Sequence, residues 1–428
     1  MMRFLYSLML TLMLPLIVVR LFWRGVRQPG YREHILERFG RYHQPQLKRC
    51  IWIHAVSVGE TRATEPLIRR LKTRYPTRPI LLTSMTPTGR ATANELFGDT
   101  VTCVYLPYDI VTLHQRLIDH FQPSALLIME TEIWPSLLFA CERNGLPAFL
   151  INGRLSEKSL HGYARVAVIH SLVQRALASV RAVAAQSEAD AGRFRALGAK
   201  NIIVTGNIKF DLHLETALVA LGETWRTRLG GRRVLLCAST REGEESRLLD
   251  AYVKIFDAHA RRDLLLVIVP RHPQRFNLVA DAINGAGLRF NRRSLAMQEV
   301  ATDLSMEVLL GDSMGEMTAY YALCDVAIIG GSFLPLGGQN LIEACALGKP
   351  VIMGQSTFNF AEATQLAKDA GAMLQVHDAL DAMRSAQALL RDNVRQQQMR
   401  DAGFRLMAAN RGATETTLAL IATSLEGN

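Results

Sequence analysis

A carboxylate occupies a turn of a kind that usually binds anions. The segment "HAVSVGET", residues 54–61, follows the apolar run "IWI" and precedes the helical pattern "RATEPLIRRL". It is therefore predicted as a strand-to-helix turn, where unpaired amides and the helix dipole favour phosphate. Glu60, at the predicted helix start, is itself an anion. Either Glu60 only stabilises its helix through the dipole, worth roughly 0.3–1 kcal/mol, or it has a chemical role.

A glycine-rich loop followed by a helix is the most specific ligand signal in the chain. The segment "GGSFLPLGGQNLIEACALGKPVIMG" is predicted as a glycine loop and a helix, from about Asn340, between two strands. Gly337 and Gly338 let backbone approach a ligand closely, and Glu343 is placed to accept hydrogen bonds from ribose hydroxyls. The alternative is a plain capping box of Asn340 and Glu343. The flanking strands favour a nucleotide site.

Two other strand ends carry groups suited to anions. In "VPRHPQR", Arg271, His272 and Arg275 follow a predicted strand, and fixed cations there suit phosphate or carboxylate. The alternative for this segment is a solvated loop. "GDSMGEM" is predicted to begin a helix at Gly315 or Glu316, where amides face an anion or the segment serves as a simple cap.

Several enzyme classes are disfavoured by missing motifs. The chain has no GxGxxG after its first strand and no GxxxxGK[ST], which argues against a dinucleotide oxidoreductase and a P-loop NTPase. Its eleven histidines form no HxxxH or HExxH, and its six cysteines form no CxxC. We therefore predict no metal site and no cofactor, and we expect reduced cysteines in a cytosolic body.

Short apolar runs alternate with helical patterns along the whole chain. Runs such as "CIWIHAV" and "PILLTSM" in the first half, and "RRVLLCAS" and "LLLVIVP" in the second, are separated by stretches of helical periodicity. This alternation predicts βαβ units and parallel sheets. Two such sets in 428 residues predict two doubly wound domains, with ligands at the carboxyl ends of the strands.

The amino terminus combines an apolar run with a basic cluster. Phe4–Val19 is a charge-free run of 16 residues, and residues 1–49 carry nine Lys or Arg against two Glu, out of a net charge of +10. A signal-anchor or monotopic helix is favoured over a cleaved signal peptide or a buried helix. The positive-inside rule places the body in the cytoplasm, and the arginines suit anionic lipid. Because the charge is concentrated there, a nucleic-acid binder is not expected.

Six motifs in this order resemble one known family. "HAVSVGE", "ETEIWPSLL", "GNIKFD", "VPRHPQR", "GDSMGE" and "GGSFLPLGGQNLIEA", behind an apolar amino terminus, are similar to the 3-deoxy-D-manno-octulosonic acid (Kdo) transferases of Gram-negative bacteria. The resemblance covers nearly the whole chain. It implies the GT-B glycosyltransferase fold, two Rossmann-like domains facing a cleft. It also implies Kdo transfer from CMP-Kdo to a lipid A precursor, lipid IVA, at the cytoplasmic face of the inner membrane, in lipopolysaccharide inner-core synthesis.

The resemblance implies roles for particular residues and domains. Glu60 is expected to be the catalytic base, with Glu130 and Lys209 as accessory groups. The residues expected to hold CMP are Pro270, Arg271, Met314, Gly315, Glu316, Asn340, Leu341, Ile342 and Glu343. The expected segments are an anchor at 1–30, an acceptor-binding domain at 31–215, a nucleotide-sugar-binding domain at 216–410, and a helix at 411–428 that packs back on the first domain.

The physical chemistry of inverting transfer agrees with this assignment. A base must take the proton of the acceptor hydroxyl as that hydroxyl attacks the anomeric carbon. The dipole of its helix is expected to favour the ionised form of Glu60, the form that a base requires. Two rivals remain: another GT-B cell-envelope enzyme with a UDP-sugar donor, and a non-catalytic, membrane-tethered nucleotide sensor.

Overall fold

The structure is a computed structural model that describes residues 2–295 and 305–426. Its contacts divide the chain into two compact units, Met1–Asp211 with Asn410–Asn428, and Leu212–Ala409. Each unit contains one parallel sheet with helices around it. The predicted α/β class of two doubly wound domains is confirmed, whereas the binding roles expected for the two domains stay predictions.

The first unit is built on a parallel sheet. Among the described residues its strands are β1 Cys50–His54, β2 Ile80–Ser84, β3 Thr102–Tyr105, β4 Pro123–Met129, β5 Ala148–Gly153, β6 Ala182–Ala185 and β7 Ile202–Val204, in the order β3-β2-β1-β4-β5-β6-β7. The helices are α1 Met2–Arg27, α2 Val58–Ala63, α3 Glu65–Arg74, α4 Pro87–Phe97, α5 Val111–Phe121, α6 Pro135–Arg143, α7 Glu157–Ala164, α8 Ala167–Ala178 and α9 Glu188–Ala196.

The second unit repeats this plan. Among the described residues its strands are β8 Arg233–Thr240, β9 Leu264–Pro270, β10 Phe290–Arg292, β11 Val308–Leu310, β12 Val326–Ile329, β13 Val351–Met353 and β14 Met373–Gln375, in the order β10-β11-β9-β8-β12-β13-β14. The helices are α10 Thr216–Arg228, α11 Glu244–Ile255, α12 Phe276–Gly285, α13 Met317–Leu323, α14 Ile342–Ala346, α15 Ala361–Asp369, α16 Ala379–Arg391 and α17 Asn393–Asn410. A last helix, α18 Ala413–Glu426, belongs to the first unit.

Both faces of the first sheet are buried. Successive side chains of a strand point to opposite faces, so Cys50 and Trp52 enter one apolar cluster while Ile51 and Ile53 enter the other. Because helices cover both faces, β1 is a continuous apolar run rather than an alternating one. Burial on both faces explains why the strand is apolar, and the polar groups of the predicted site lie in the segments that follow the strand ends.

The carboxy-terminal helix completes the first unit. Leu418, Ile421 and Leu425 of α18 are buried in the same cluster as Ile51 and Ile53. The start of this helix is held by Asp211, whose carboxylate accepts the backbone N–H groups of Gly412 at 2.7 Å and Thr414 at 2.6 Å. The first unit is therefore assembled from both ends of the chain.

Helix α1 contains a long apolar segment. Its segment Tyr6–Val26 is, among the described helices, the one long and apolar enough to cross a membrane, with a mean hydropathy of 1.8. Little of this segment is buried in the protein.

Candidate functional site

The order of the first sheet reverses between β1 and β4. The chain moves from β1 through β2 to β3 on one side, then adds β4 to β7 on the other. Ligands of doubly wound sheets bind at the carboxyl ends of the strands where the order reverses. Glu60 follows β1 and Glu130 follows β4. The fold thus places both residues at the reversal point of the sheet.

Glu60 lies in the first turn of α2. Ser57 is the N-cap, and its Oγ accepts the Glu60 N–H at 3.3 Å and donates to Glu60 Oε1 at 2.9 Å. The other carboxylate oxygen, Oε2, accepts the Val56 N–H at 2.7 Å. Both carboxylate oxygens of Glu60 therefore accept hydrogen bonds at the start of the helix. Each carboxylate oxygen has a second lone pair, so these contacts leave capacity to accept a proton.

Burial changes the charge state expected for Glu60. The side chain is 8% exposed, and burial is the main reason why the pKa of Glu60 is raised to about 7. The bonds from Val56 and Ser57 act in the opposite direction, and the charges of Glu130 and Glu132 act in the same direction as burial. Burial therefore acts against the helix dipole, whose expected effect of favouring the ionised form of Glu60 stays a prediction. A pKa near neutrality is the value that suits a general base.

Glu130 and Lys209 form an ion pair. Lys209 Nζ donates to Glu130 Oε1 at 2.8 Å, and both side chains are half-buried. Glu130 has a φ of +54°, a left-handed conformation that is uncommon outside glycine, and its N–H donates to the Ile151 carbonyl at 3.0 Å. The charges of Glu130 and Glu132 both act on Glu60. The structure therefore brings the three predicted residues of the first domain together.

A buried amide network holds the turn that carries Lys209. Asn152 Oδ1 accepts the Ile208 N–H at 3.0 Å, and Asn207 Oδ1 accepts the Lys209 N–H at 3.1 Å. Gln186 joins the two asparagines, because its amide donates to the Asn152 carbonyl at 2.9 Å and accepts from Asn207 Nδ2 at 3.1 Å. Sequence reasoning missed Asn152 and Gln186. The only local signal is an asparagine before glycine at the end of β5.

Four adjacent strands of the second sheet end beside one another. In the order β11-β9-β8-β12, the segment with Glu316 follows β11, Arg271 follows β9, and the segment with Asn340 follows β12. The order reverses between β8 and β12. The three predicted CMP-binding segments thus share the carboxyl edge of this sheet.

The segment after β9 is rich in cations. Pro270 ends the strand, and the Arg271 N–H donates to the Thr240 carbonyl at 2.9 Å. Burial and the charges of Arg241, Arg271 and Arg275 lower the pKa of His272, so His272 is a weaker cation than its sequence context suggests. Arg275 Nη2 lies 2.9 Å from Glu245 Oε2 in a bidentate pair. Arg275 is therefore paired with a protein carboxylate. Arg271 is the cation that directly follows the strand.

The segment before α13 is built around a left-handed glycine. Gly315 has a φ of +80°, and the Met314 side chain is half exposed. Glu316, the residue before α13, pairs with Arg293 at 2.9 Å and accepts the Ser313 hydroxyl. Its carboxylate is thus occupied by protein groups, which leaves the turn of the backbone as the part that can hold a ligand.

The segment before α14 contacts α13 through Glu343. Asn340 Oδ1 accepts the Ile342 N–H at 3.0 Å, and Leu341 and Ile342 are buried. Glu343 accepts the hydroxyl of Thr318 on α13. The structure therefore ties the 314–316 and 340–343 segments together through α13 and α14.

Backbone conformation and close packing explain why the loop has two glycines. Gly337 and Gly338 have φ values of +85° and +72°. A Cβ at Gly337 would collide with Asn359, and one at Gly338 would lie 3.0 Å from Met353 Cε. Conformation and packing thus require glycine here, independently of any ligand.

Glu244 is a buried carboxylate to which the sequence reasoning gave no role. It is fully buried and accepts backbone N–H groups from Arg241 at 2.9 Å, Gly331 at 2.6 Å and Phe333 at 3.0 Å. Arg241 follows β8, and Gly331 and Phe333 follow β12. Glu244 therefore joins the loops on the two sides of the reversal point. Its signal in the sequence, a glutamate in "REGEE", is shared by many solvated helix starts.

Comparison with known proteins decides the family. A family model described as 3-Deoxy-D-manno-octulosonic-acid transferase (kdotransferase) matches residues 33–212. The 3-deoxy-D-manno-octulosonic acid transferase of Bordetella pertussis is 41% identical over 97% of this chain and 98% of its own length. The chain belongs to the 3-deoxy-D-manno-octulosonic acid transferase family. The Haemophilus influenzae transferase of that name is 36% identical over 100% of this chain and 99% of its own.

The family fixes the class of reaction. This chain is a glycosyltransferase, and the group that it transfers is Kdo. A solved UDP-GlcNAc 2-epimerase from Neisseria meningitidis is similar in structure, with a TM-score of 0.58, 15% identity, and coverage of 87% of this chain and 99% of its own. At that identity the likeness concerns the fold alone, and the fold is GT-B.

Proposed function

We propose that the protein transfers Kdo from CMP-Kdo to the lipid A precursor lipid IVA, with Glu60 as general base. The observation that carries this proposal is the position and charge state of Glu60. Its buried carboxylate lies at the reversal point of the first sheet, and its pKa of about 7 lets it accept a proton at neutral pH.

The proton and electron pairs balance in the proposed step. An acceptor hydroxyl attacks the anomeric carbon of Kdo, and its proton passes to Glu60. The bond from that carbon to the phosphate oxygen breaks, and its electron pair leaves with CMP. Attack and departure on opposite faces invert the anomeric centre.

Glu130 and Lys209 act as a pair beside Glu60. Lys209 offers the developing negative charge a cation that is already oriented by Glu130, on a turn whose backbone is held by the Asn207 side chain. An oriented donor in a partly buried site stabilises charge more than a solvated one does. In the second unit, Pro270, Arg271 and the segments 314–316 and 340–343 hold CMP.

The proposed location is the cytoplasmic face of the inner membrane. The acceptor is a membrane lipid, and α1 gives the protein an apolar element beside a basic cluster. Cations next to an apolar segment suit an anionic cytoplasmic leaflet.

The test is transfer by the purified full-length protein. We expect CMP-Kdo and lipid IVA to give a lipid whose mass increases by one or more Kdo residues, with one CMP released per Kdo added. Glu60→Gln should abolish transfer and still bind CMP, whereas Glu65→Gln, a matched change in α3, should leave transfer unchanged. Transfer from a UDP-sugar with none from CMP-Kdo would overturn the proposed donor, and normal turnover by Glu60→Gln would overturn the proposed base.

A further inference from the structure

Helix α1 exposes an apolar stripe. Leu12 is 71% exposed, Leu16 68%, Val19 66% and Val26 69%, and Leu8 is also exposed. Residues three, four and seven apart lie on one face of an α-helix. A continuous stripe of this kind marks a surface that contacts an apolar partner.

The opposite face of α1 is held on the first unit near both ends of the helix. Near its start, the Tyr6 hydroxyl donates to Asp109 Oδ2 at 2.8 Å, and Asp109 also accepts the Leu137 N–H of α6 at 3.0 Å. Near its end, the Arg24 guanidinium lies 4.5 Å from the centre of the Tyr31 ring, and Tyr31 is buried.

These two attachments define the direction of the helix. Tyr6 and Arg24 are 18 residues apart, which corresponds to about 27 Å of helix. Tyr31 follows α1 closely in the chain, whereas Asp109 lies 103 residues from Tyr6, so the Tyr6–Asp109 contact is the one that holds the start of the helix on the first unit. A helix that crossed a bilayer would have to carry one of its ends away from that unit. With both contacts made, α1 lies along the surface of the unit.

A second apolar segment lies beside α1. Val166, Val168 and Ile169, at the junction of α7 and α8, are 49%, 57% and 44% exposed, and α8 contacts α1. Arg165 is exposed next to them, and Arg20 is exposed on α1. Apolar side chains flanked by arginines are typical of surfaces that insert into the interfacial region of a membrane.

We propose that α1 lies in the plane of an anionic bilayer and that Val166, Val168 and Ile169 insert beside it. We call these three residues and the exposed stripe of α1 the lipid-facing surface. The inference deepens the proposed membrane location and is independent of the sugar donor. The occupant is an anionic lipid surface rather than a second copy of this chain, because two copies would bring the basic amino-terminal segments together.

The depth of α1 in the bilayer tests its orientation. Single variants Leu8→Cys, Leu16→Cys and Val26→Cys, each carrying a nitroxide label, are bound to vesicles of phosphatidylethanolamine and phosphatidylglycerol, and label depth is measured. Five native cysteines are buried and Cys103 is half-buried, so labelled wild-type protein supplies the background. We expect three similar, shallow depths. A Leu16 label in the bilayer centre with the other two at the interfaces would overturn the proposal, and so would labels left in water.

The α7–α8 junction is tested with a matched pair of variants. Val168 is the second residue of α8 and Val394 is the second residue of α17, and both are strongly exposed. An Asp near a helix start favours the helix, so neither change should unfold the protein. We expect Val168→Asp to reduce binding to the same vesicles at least tenfold and Val394→Asp to leave it unchanged.

The oligomeric state in solution and Kdo transfer in detergent distinguish this proposal from its alternatives. Equal vesicle binding by the two variants would overturn the role of the junction. If wild-type protein were a dimer and Val168→Asp a monomer in solution, the lipid-facing surface would instead be an interface between copies. Kdo transfer to lipid IVA in detergent should be the same for both variants. If wild-type protein bound vesicles but transferred no Kdo, the result would count against the proposed function and not against this inference.

Discussion

Lys209 Nζ lies 2.8 Å from Glu130 Oε1, and this contact joins the ends of β7 and β4. Two strands, β5 and β6, lie between them in the sheet. Asn152, at the end of β5, and Gln186, just after β6, belong to the amide network that fixes the Lys209 turn. The ion pair is therefore held at each end by backbone contacts rather than by flexible side chains alone.

Removal of the Lys209 cation should impair Kdo transfer more than it impairs folding. We expect Lys209→Met to lower kcat by on the order of a hundredfold, the cost of losing one oriented charge-stabilising group. Lys200→Met, at an exposed lysine, is the control and should leave kcat unchanged. In a double-mutant cycle, Glu130→Gln combined with Lys209→Met should cost less than the sum of the single changes. Additive losses would contradict a functional pair.

The pKa of Glu60 predicts the pH dependence of the reaction. Burial raises this pKa to about 7, so below pH 7 the carboxyl is protonated and cannot accept the acceptor proton. We expect kcat/KM for lipid IVA to fall about tenfold per pH unit below pH 7 and to be level above it. The measurement is initial rates between pH 5.5 and 8.5. A profile that is flat across pH 7 would exclude Glu60 as the base.

The same pKa predicts a cost in stability. Because the folded-state pKa, about 7, exceeds the ordinary carboxyl value of 4.5, the folded protein binds more protons between these values. The free energy of unfolding therefore falls as pH rises from 4.5 to 7. Glu60→Gln removes this cost, and we expect it to be more stable than wild type at pH 8 by up to about 3 kcal/mol. Urea unfolding at pH 8 and at pH 4.5 measures the difference, which should vanish at the lower pH.

The sequence predicted most of the interior strands and the edge strand β3, and it missed β6 and the three shortest edge strands. β1, β4, β8 and β9 are long apolar runs because helices cover both faces of each sheet. β7, β10 and β14 have three residues each, lie at the sheet edges and are only partly buried. A three-residue edge strand needs little apolar surface, so it leaves little pattern in the sequence.

The sequence located Glu60 but not its charge state. The apolar run and the helical pattern on either side of the turn predict a helix start at Glu60, and the structure has hydrogen bonds between Ser57 and Glu60 there. Burial is the main cause of the raised pKa, and the carboxylates of Glu130 and Glu132 that add to it are about 70 residues away in the chain. Only the parallel pairing of β1 with β4 brings them near. Local spacing contains no information of that kind.

Loss of the hydrogen bonds that Glu244 accepts should lower the stability of the second unit. Its two carboxylate oxygens accept N–H groups from Arg241, Gly331 and Phe333. In Glu244→Gln, one oxygen is replaced by an NH₂ group, which faces at least one of these N–H donors. A buried donor without an acceptor costs roughly 1–3 kcal/mol, so we expect the free energy of unfolding to fall by about 2 kcal/mol.

The position of Glu244 between the β8 and β12 loops also predicts an effect on CMP. The loop that contains Gly331 and Phe333 leads to Asn340, so its displacement should weaken CMP binding by about tenfold, which corresponds to 1.4 kcal/mol. Titration calorimetry with CMP and thermal unfolding measure the two effects. Glu242→Gln changes an exposed glutamate of the same segment and should alter neither. A lower Tm with unchanged CMP affinity would mean that Glu244 stabilises the fold without positioning the nucleotide, because a displaced loop must change the contacts of any ligand that it binds.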